Sequence, residues 1–344
     1  MEKDYPANNQ PSVEKNEKAD HGQTEKGLFK RFARMFPRTE EGYANRMHGY
    51  YYLKHLRMYI YFMKKKMNNF VKDPEEPIRI GSESSFWDEE AVKMAVDHSN
   101  IMASGLETNG YHAKIVIPED AKKFYTLKQD VNLPDLPKTI LPFQRARQIV
   151  INSKDEFAVT NCHCREVRGD KACQPINTCL LYGEPWVSFF LYHNPDAGGR
   201  RITKEEAMRI IDESHALGRV QSVFFKDACG DRFYGICNCC SCCCVALMAH
   251  NYAKTPLFSP SGYIREIDWE KCQSCGACTT ACPFHVPQMR DGKMTSNDSG
   301  ACMGCTVCVD RCPNGAITLK RDNPERSEPL DLDVVVPLYN KPVE

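Results

Sequence analysis

The residues of this chain that could act in concert are its 19 cysteines, all of which lie between Cys162 and Cys312. Two segments carry them in the same order. One reads Cys272-x-x-Cys275-x-x-Cys278-x-x-x-Cys282-Pro283, and 30 residues later comes Cys302-x-x-Cys305-x-x-Cys308-x-x-x-Cys312-Pro313. Thiolates are soft ligands that suit iron–sulfur clusters, zinc and other soft ions. A tight C-x-x-C-x-x-C loop wraps three iron corners of a cubane [4Fe-4S] cluster. The fourth thiolate comes from elsewhere, because a continuous loop does not reach around the cube. Structural zinc is the competing use, but zinc ribbons show two C-x-x-C pairs across a long gap, not repeated runs ending in Cys-Pro. Pro283 and Pro313 end each loop. Gly276, Ala277 and Gly304 let backbone N–H groups approach the sulfurs.

Eleven thiols lie upstream of the repeat. "NCHCREVRGDKACQPINTC" holds Cys162, Cys164, Cys173 and Cys179, and "CNCCSCCC" holds Cys237, Cys239, Cys240, Cys242, Cys243 and Cys244. Such a density of thiols invites oxidation and metal capture unless it is occupied. These ten are candidate ligands of one or two additional Fe–S clusters. Neighbouring residues of an extended chain point in different directions. Cys239 with Cys240, and Cys243 with Cys244, therefore do not suit adjacent corners of one cubane. They could bridge two clusters or serve one larger, non-cubane cluster. Cys229 reads as a small buried hydrophobe. Arg165, Arg168 and Lys171 either raise the potential of a nearby cluster or form an exposed basic loop. His163 reads as a solvent-facing spacer ahead of a ligand or proton carrier, and so do His193 and His285.

The repeat resembles the bacterial-type 2[4Fe-4S] ferredoxin family over residues 262–320. That resemblance implies that each fourth cysteine serves the other cluster. Cluster 1 then takes Cys272, Cys275, Cys278 and Cys312, and cluster 2 takes Cys302, Cys305, Cys308 and Cys282, with "YIREID" and "GAITLK" as outer strands. A wider stretch, residues 140–320, resembles a group of poorly characterised Fe–S proteins of anaerobes. Its marks are "ILPFQRARQIV", "VTNCHCR", "RITKEEAMRIIDESHALG" and "ICNCCSCCC". This implies Fe–S redox work without a settled reaction. The paired cysteines are also similar to the Cys-Cys-Gly motif of heterodisulfide reductase catalytic subunits, but no glycine follows Cys240 or Cys244.

Several classes are excluded. A secreted disulfide scaffold is small, with an even cysteine count and an apolar leader. This chain has 344 residues, an odd count and a polar start, "MEKDYPANNQPSVEKNEKADHGQ". The expected compartment is a reducing cytoplasm. No run of about 18 apolar residues suggests a membrane span. The formal net charge is zero, so no nucleic acid is expected as a partner. G-x-G-x-x-G, P-loop and C-x-x-C-H motifs are absent, so electrons must pass to or from a separate redox partner protein.

The elements that position the thiols can be read more coarsely. The fold class is α+β: a ferredoxin-like dicluster domain follows a small α+β cysteine-rich module, with a helical N-terminal extension. Residues 1–27 read as a disordered arm, 28–139 as a helical basic and aromatic extension with a linker at 72–82, 140–261 as the cysteine-rich module, 262–320 as the dicluster domain and 321–344 as an extended tail. Residues 28–70 carry ten Lys or Arg and two Glu. Tyr52, Leu56, Tyr59 and Met63 form a helical stripe. It either packs on the chain's own core, the favoured reading, or docks the inner face of a membrane or a partner protein. A helix is expected over 88–99, a strand over 113–118 and a helix from Pro142 through "PFQRARQIVINSK". Another helix should follow the Thr203–Glu206 capping box and stop at Gly218, with a strand in "RVQSVFFKDA". The expected function is a multi-cluster Fe–S electron-transfer protein. An Fe–S reductase with an atypical catalytic cluster is the alternative, and a thiolate metal-binding or redox-sensing protein the second alternative.

Overall fold

The computed structural model describes residues 24–71, 86–98, 111–143, 149–151, 156–295 and 301–342. Four helices come first: α1 (Glu25–Ala33), α2 (Glu40–Lys54), α3 (Leu56–Val71) and α4 (Phe86–His98). A mixed region follows with β1 (Tyr111–Val116), α5 (Pro118–Lys123), β2 (Val131–Leu133), β3 (Ile149–Ile151), β4 (Phe157–Asn161), α6 (His163–Arg168), β5 (Asn177–Tyr182), α7 (Trp186–His193), β6 (Arg200–Ile202), α8 (Lys204–Ala216), β7 (Val220–Lys226), β8 (Arg232–Cys239), α9 (Val245–Asn251) and β9 (Phe258–Ser259). The C-terminal part holds β10 (Tyr263–Ile267), α10 (Ala277–Ala281), β11 (Gln288–Arg290), β12 (Lys293–Thr295), α11 (Val307–Asp310), β13 (Ile317–Arg321) and α12 (Leu332–Tyr339). The fold is α+β.

A seven-stranded sheet in the order β6-β4-β5-β8-β7-β1-β9 forms the middle layer. Its pairs are antiparallel except β1 with β9. Strand β7 is buried along its whole length, because apolar layers cover both faces of the sheet. Phe224 of β7 and Tyr234 of β8 join the core built with α1–α4 and α9. Val223 and Phe233 join the opposite core, built with α5, α8, α12 and the β2–β3 pair. Thr203 Oγ1 accepts from Glu206 N at 3.2 Å and starts α8. Gly218, at φ +80, ends it as expected. The dicluster domain is framed by β10 and β13, paired from Tyr263↔Arg321 to Ile267↔Ile317.

The stripe on α2 and α3 packs inward. Tyr52, Tyr59 and Met63 are buried in the core beneath the sheet. Among the described residues, no helix is long and apolar enough to cross a membrane.

Four expectations need correction. The polar arm was expected to reach residue 27, but α1 starts at Glu25 because Thr24 Oγ1 caps it through Gly27 N. Residues 28–139 are not an extension and linker alone, since β1 sits inside the central sheet between β7 and β9. The helix expected from Pro142 does not run through Ile149–Ile151. Those β-branched residues pair with Val131–Leu133 as β3. The C-terminal segment is not a fully extended arm. Asp331 caps α12, whose Leu332, Val335 and Val336 sit in the core at i, i+3 and i+4. The expected linker at 72–82 and residues 1–23 lie outside the described residues.

Candidate metal centres

The duplicated loops enclose two cavities with mainly apolar walls. Cys272, Cys275, Cys278 and Cys312 line one, with Ile267, Met294 and Ile317. Cys282, Cys302, Cys305 and Cys308 line the other, with Arg265, Phe284 and Leu319. Gly276 and Thr306, both at positive φ, turn the chain into the short helices α10 and α11. Gly304 lies at φ +62, and a Cβ there would come within 2.2 Å of the Tyr263 carbonyl oxygen. Ala316 N donates to Cys312 Sγ at 3.2 Å. Burial pushes the thiols of Cys278, Cys282 and Cys305 up, and that of Cys308 to about 12. Four thiols in an apolar wall need a cationic centre to hold them as thiolates. The donor sets therefore fit a cluster in each cavity.

Upstream, β8 sorts the thiols by its alternation. Cys237 and Cys239 share one face of the strand, and Cys240 leaves it on the other. A turn closed by Cys244 N donating to Cys240 O at 3.1 Å then returns Cys244 to the first face, at the start of α9. The result is a ring of six. Side-chain contacts run from Cys162 to Cys164 and Cys179, from Cys179 to Cys237, from Cys237 to Cys239 and from Cys244 back to Cys164. Cys239 and Cys244 close the circuit with sulfurs 3.4 Å apart. The ring borders a cavity of about 90 Å³, which Cys240 also lines.

Cys173, Cys240, Cys242 and Cys243 form a second group, with all four sulfurs within 4.8 Å of one another. Their mutual contacts set them apart. The contact with Cys173 pushes Cys240 up, and those with Cys242 and Cys243 pull it down, with the balance at about 7. Cys242 and Cys243 are pushed up by Cys173 and Cys240. Cys229 belongs to neither group. It is buried in the apolar core, and burial pushes its thiol well up.

Arg165 stands between the two groups. It is fully buried, which excludes the exposed-loop reading for this residue. Its Nε donates to Cys173 Sγ at 3.3 Å and its Nη2 to Asn238 O at 2.9 Å. Burial pulls its pKa down, but the surrounding thiolates, Cys162 first, outweigh this and raise it. Lys171 is exposed.

The expectation of a solvent-facing His163 is overturned as well. Only 4% exposed, it lines the ring cavity. Its Nδ1 donates to Glu166 Oε2 at 2.6 Å, while Nε2 has no hydrogen-bond partner among the described residues. Glu166 is held in turn by Arg57 of α3 through two 3.2 Å bonds. His193 packs on Phe189, 4.4 Å between centroids, and burial lowers its pKa to about 4. His285 is exposed.

Several site residues were not legible in the sequence. Tyr52, Tyr59 and Tyr234 line the ring cavity, and Tyr52 and Tyr234 hydroxyls are 3.0 Å apart. His215 links the two halves of the chain. Its Nε2 lies 2.8 Å from Thr306 Oγ1 and 2.7 Å from Asp310 Oδ2, and its Nδ1 donates to Gln221 Oε1 at 2.9 Å. Gln221 Nε2 donates to Asn238 Oδ1 at 3.0 Å, between two ring cysteines. A weak signal existed for one pair, since His163 and Glu166 have helical i, i+3 spacing. Arg57 and His215 carried none.

Two thiol-lined cavities from a duplicated loop define a dicluster iron–sulfur domain, and residues 271–317 match the 4Fe-4S dicluster domain family. Through this segment the chain belongs to the ferredoxins. A ferredoxin of Methanothermococcus thermolithotrophicus is 41% identical over 56 residues, 16% of this chain and 93% of that protein. The pyruvate synthase subunit PorD of Methanocaldococcus jannaschii is 36% identical over 56 residues, 16% of this chain and 65% of the relative. A putative iron-sulfur subunit of a dimethyl sulfoxide reductase from Halobacterium salinarum is 36% identical over 56 residues, 16% of this chain and 21% of the relative. No solved structure matches the chain. The ferredoxin-type domain supports iron–sulfur electron transfer.

Proposed function

We propose that this chain is a multi-cluster electron-transfer protein. Its dicluster domain exchanges electrons with a redox partner protein, and its six-thiol ring holds a further Fe–S centre. Such clusters supply one-electron transfer when bound. The observation that carries the reading is the run Thr306–His215–Gln221–Asn238, which ties the Cys305 loop to the strand bearing Cys237 and Cys239. Met303 and Cys305 also share one apolar core with Cys239 and Cys244. The ligand sets proposed are Cys272, Cys275, Cys278 and Cys312; Cys282, Cys302, Cys305 and Cys308; and the six ring thiols. At the outer end, Cys275 and Trp269 are exposed and offer a partner the nearest edge of the first cavity. Relatives named as subunits of pyruvate synthase and of a putative dimethyl sulfoxide reductase suit a partner of the oxidoreductase kind.

Iron and sulfide analysis of anaerobically purified protein, with redox-titrated EPR, tests this. The reading requires clearly more than the roughly eight irons that two cubanes account for. A Cys237→Ser variant should lose the excess and keep those eight. Iron that stops at eight in the unaltered protein rejects a cluster in the ring.

A reductase acting at the ring is the second reading. It is favoured by the number of thiols, the six of the ring and Cys240 around one cavity where a cubane takes four. A non-cubane EPR signal altered by an added disulfide would support it.

A further inference from the structure

The ten thiols of the upstream module divide six and four, and the four differ from the ring in geometry. We propose that Cys173, Cys240, Cys242 and Cys243 form a mononuclear tetrahedral thiolate site of the zinc class, separate from every iron–sulfur centre of the chain.

The spacing decides between one ion and a cluster. Zinc–sulfur bonds of about 2.3 Å place the sulfurs of a tetrahedral Cys₄ site about 3.8 Å apart. Here Cys173 and Cys240 are 3.2 Å apart, Cys242 and Cys243 3.5 Å, and Cys173 and Cys243 3.9 Å. All four lie within 4.8 Å of one another. A cubane sets each thiolate on a different iron, at a different corner, and so spreads the sulfurs beyond the reach of a single ion. The chain supplies its own comparison. Among the described residues, neither dicluster cavity nor the ring brings three thiols together this closely.

Charge agrees with the spacing. Four thiolates around one divalent ion carry two surplus negative charges. Arg165, fully buried, donates to Cys173 Sγ. Arg219 is 2% exposed, and its Nη2 donates to the carbonyl oxygen of Gln174, the residue after Cys173. One buried guanidinium therefore touches the site and a second lies beside it. Four protein ligands leave no open position, which marks a structural ion rather than a catalytic one.

The position in the chain gives the ion its role. Cys173 lies between the ring residues Cys164 and Cys179, and Cys240, Cys242 and Cys243 lie between the ring residues Cys239 and Cys244. One ion pins together the two segments whose flanks build the ring, and fixes the turn by which β8 feeds α9.

The test uses the full-length protein purified anaerobically. Metal analysis should find one zinc per chain, and zinc-edge X-ray absorption should show a shell of about four sulfurs near 2.3 Å with no metal neighbour. Cys242 is exposed, so Cys242→Ser should fold. It should lose the zinc or exchange one sulfur of the shell for oxygen. Cys237→Ser should leave the zinc shell unchanged. Absence of zinc from the unaltered protein, a shell indifferent to Cys242→Ser, or loss of a cubane's worth of iron and sulfide in that variant overturns the proposal.

Discussion

His163 Nδ1 and Glu166 Oε2 are 2.6 Å apart, one turn of α6 from each other, and the histidine's other nitrogen has no hydrogen-bond partner among the described residues. Donation to the carboxylate places a proton on Nδ1. The carboxylate is itself fixed by Arg57, 109 residues away. Burial raises the Glu166 pKa, but His163 and Arg57 outweigh it and bring the value down to about 2. His163→Leu should change the EPR signature or potential of a centre in the ring while the iron content holds. Arg57→Ala should alter the same signal more weakly, since it acts through Glu166, and should cost about 3 kcal/mol by leaving a buried carboxylate without its cation. An unchanged ring signal in His163→Leu would show that the histidine only fills space.

Arg265 is 2% exposed and lines the cavity of Cys282, Cys302, Cys305 and Cys308, while among the described residues the other dicluster cavity has no cation in its wall. A buried positive charge stabilises the more negative, reduced state of a cluster. Arg265→Met should lower the potential of that cluster by on the order of 60 mV, a tenfold change in its one-electron equilibrium. The cluster of the other cavity should shift the same way by less, because the Arg265 charge also lowers the thiol pKa of Cys278 there. Potentiometric EPR separates the two, and equal shifts would mean that the charge is felt through solvent.

Legibility followed the range of the interactions. The dicluster repeat could be read because each loop places three thiols locally, and the spacing alone encodes the curvature. The division of "CNCCSCCC" could be read only in part. Alternation along β8 separates Cys239 from Cys240, but the turn that sends Cys244 back to the ring, closed by Cys244 N on Cys240 O, leaves no mark in the spacing of the cysteines. His163 looked like a spacer because Arg57 and Phe190, which enclose it and its partner, are distant in sequence. Residues 321–344 read as an extended tail because Pro324, Pro329, Pro337 and Pro342 punctuate them. Asp331 and the Leu332, Val335, Val336 spacing were the stronger signal, and Pro337 is accommodated within the helix they begin.

Gly304 should tolerate no side chain. A Cβ there would meet the Tyr263 carbonyl oxygen at 2.2 Å and Ser261 Oγ at 2.3 Å, and φ is +62. Ser261 Oγ also donates to the Gly304 carbonyl at 2.8 Å, so the loop is held from both sides. Gly304→Ala therefore forces the Cys302–Cys308 loop off β10. The expected cost is about 2–3 kcal/mol, with loss of roughly four irons per chain. Gly292 is the control, because φ is +70 there but the space around it is open. Gly292→Ala should keep its iron.

Lys114 gives the chain a pH dependence that is independent of the thiols. It sits on β1, fully buried, and donates to Ser327 Oγ at 3.0 Å and to Glu328 O at 2.9 Å. Burial lowers its pKa from 10.5 to about 7. Between those values the unfolded chain binds the proton and the folded chain releases it, so stability rises with pH across the window from about 7 to 10.5. Below about 7 both states are protonated and the contribution stays at its minimum. One unit is worth about 1.4 kcal/mol, which makes the whole rise on the order of several kcal/mol. Anaerobic urea unfolding at increasing pH should show that slope in the unaltered protein and a flatter one in Lys114→Met. Equal slopes would mean that Lys114 keeps its proton in the fold, held by Ser327 and the Glu328 carbonyl.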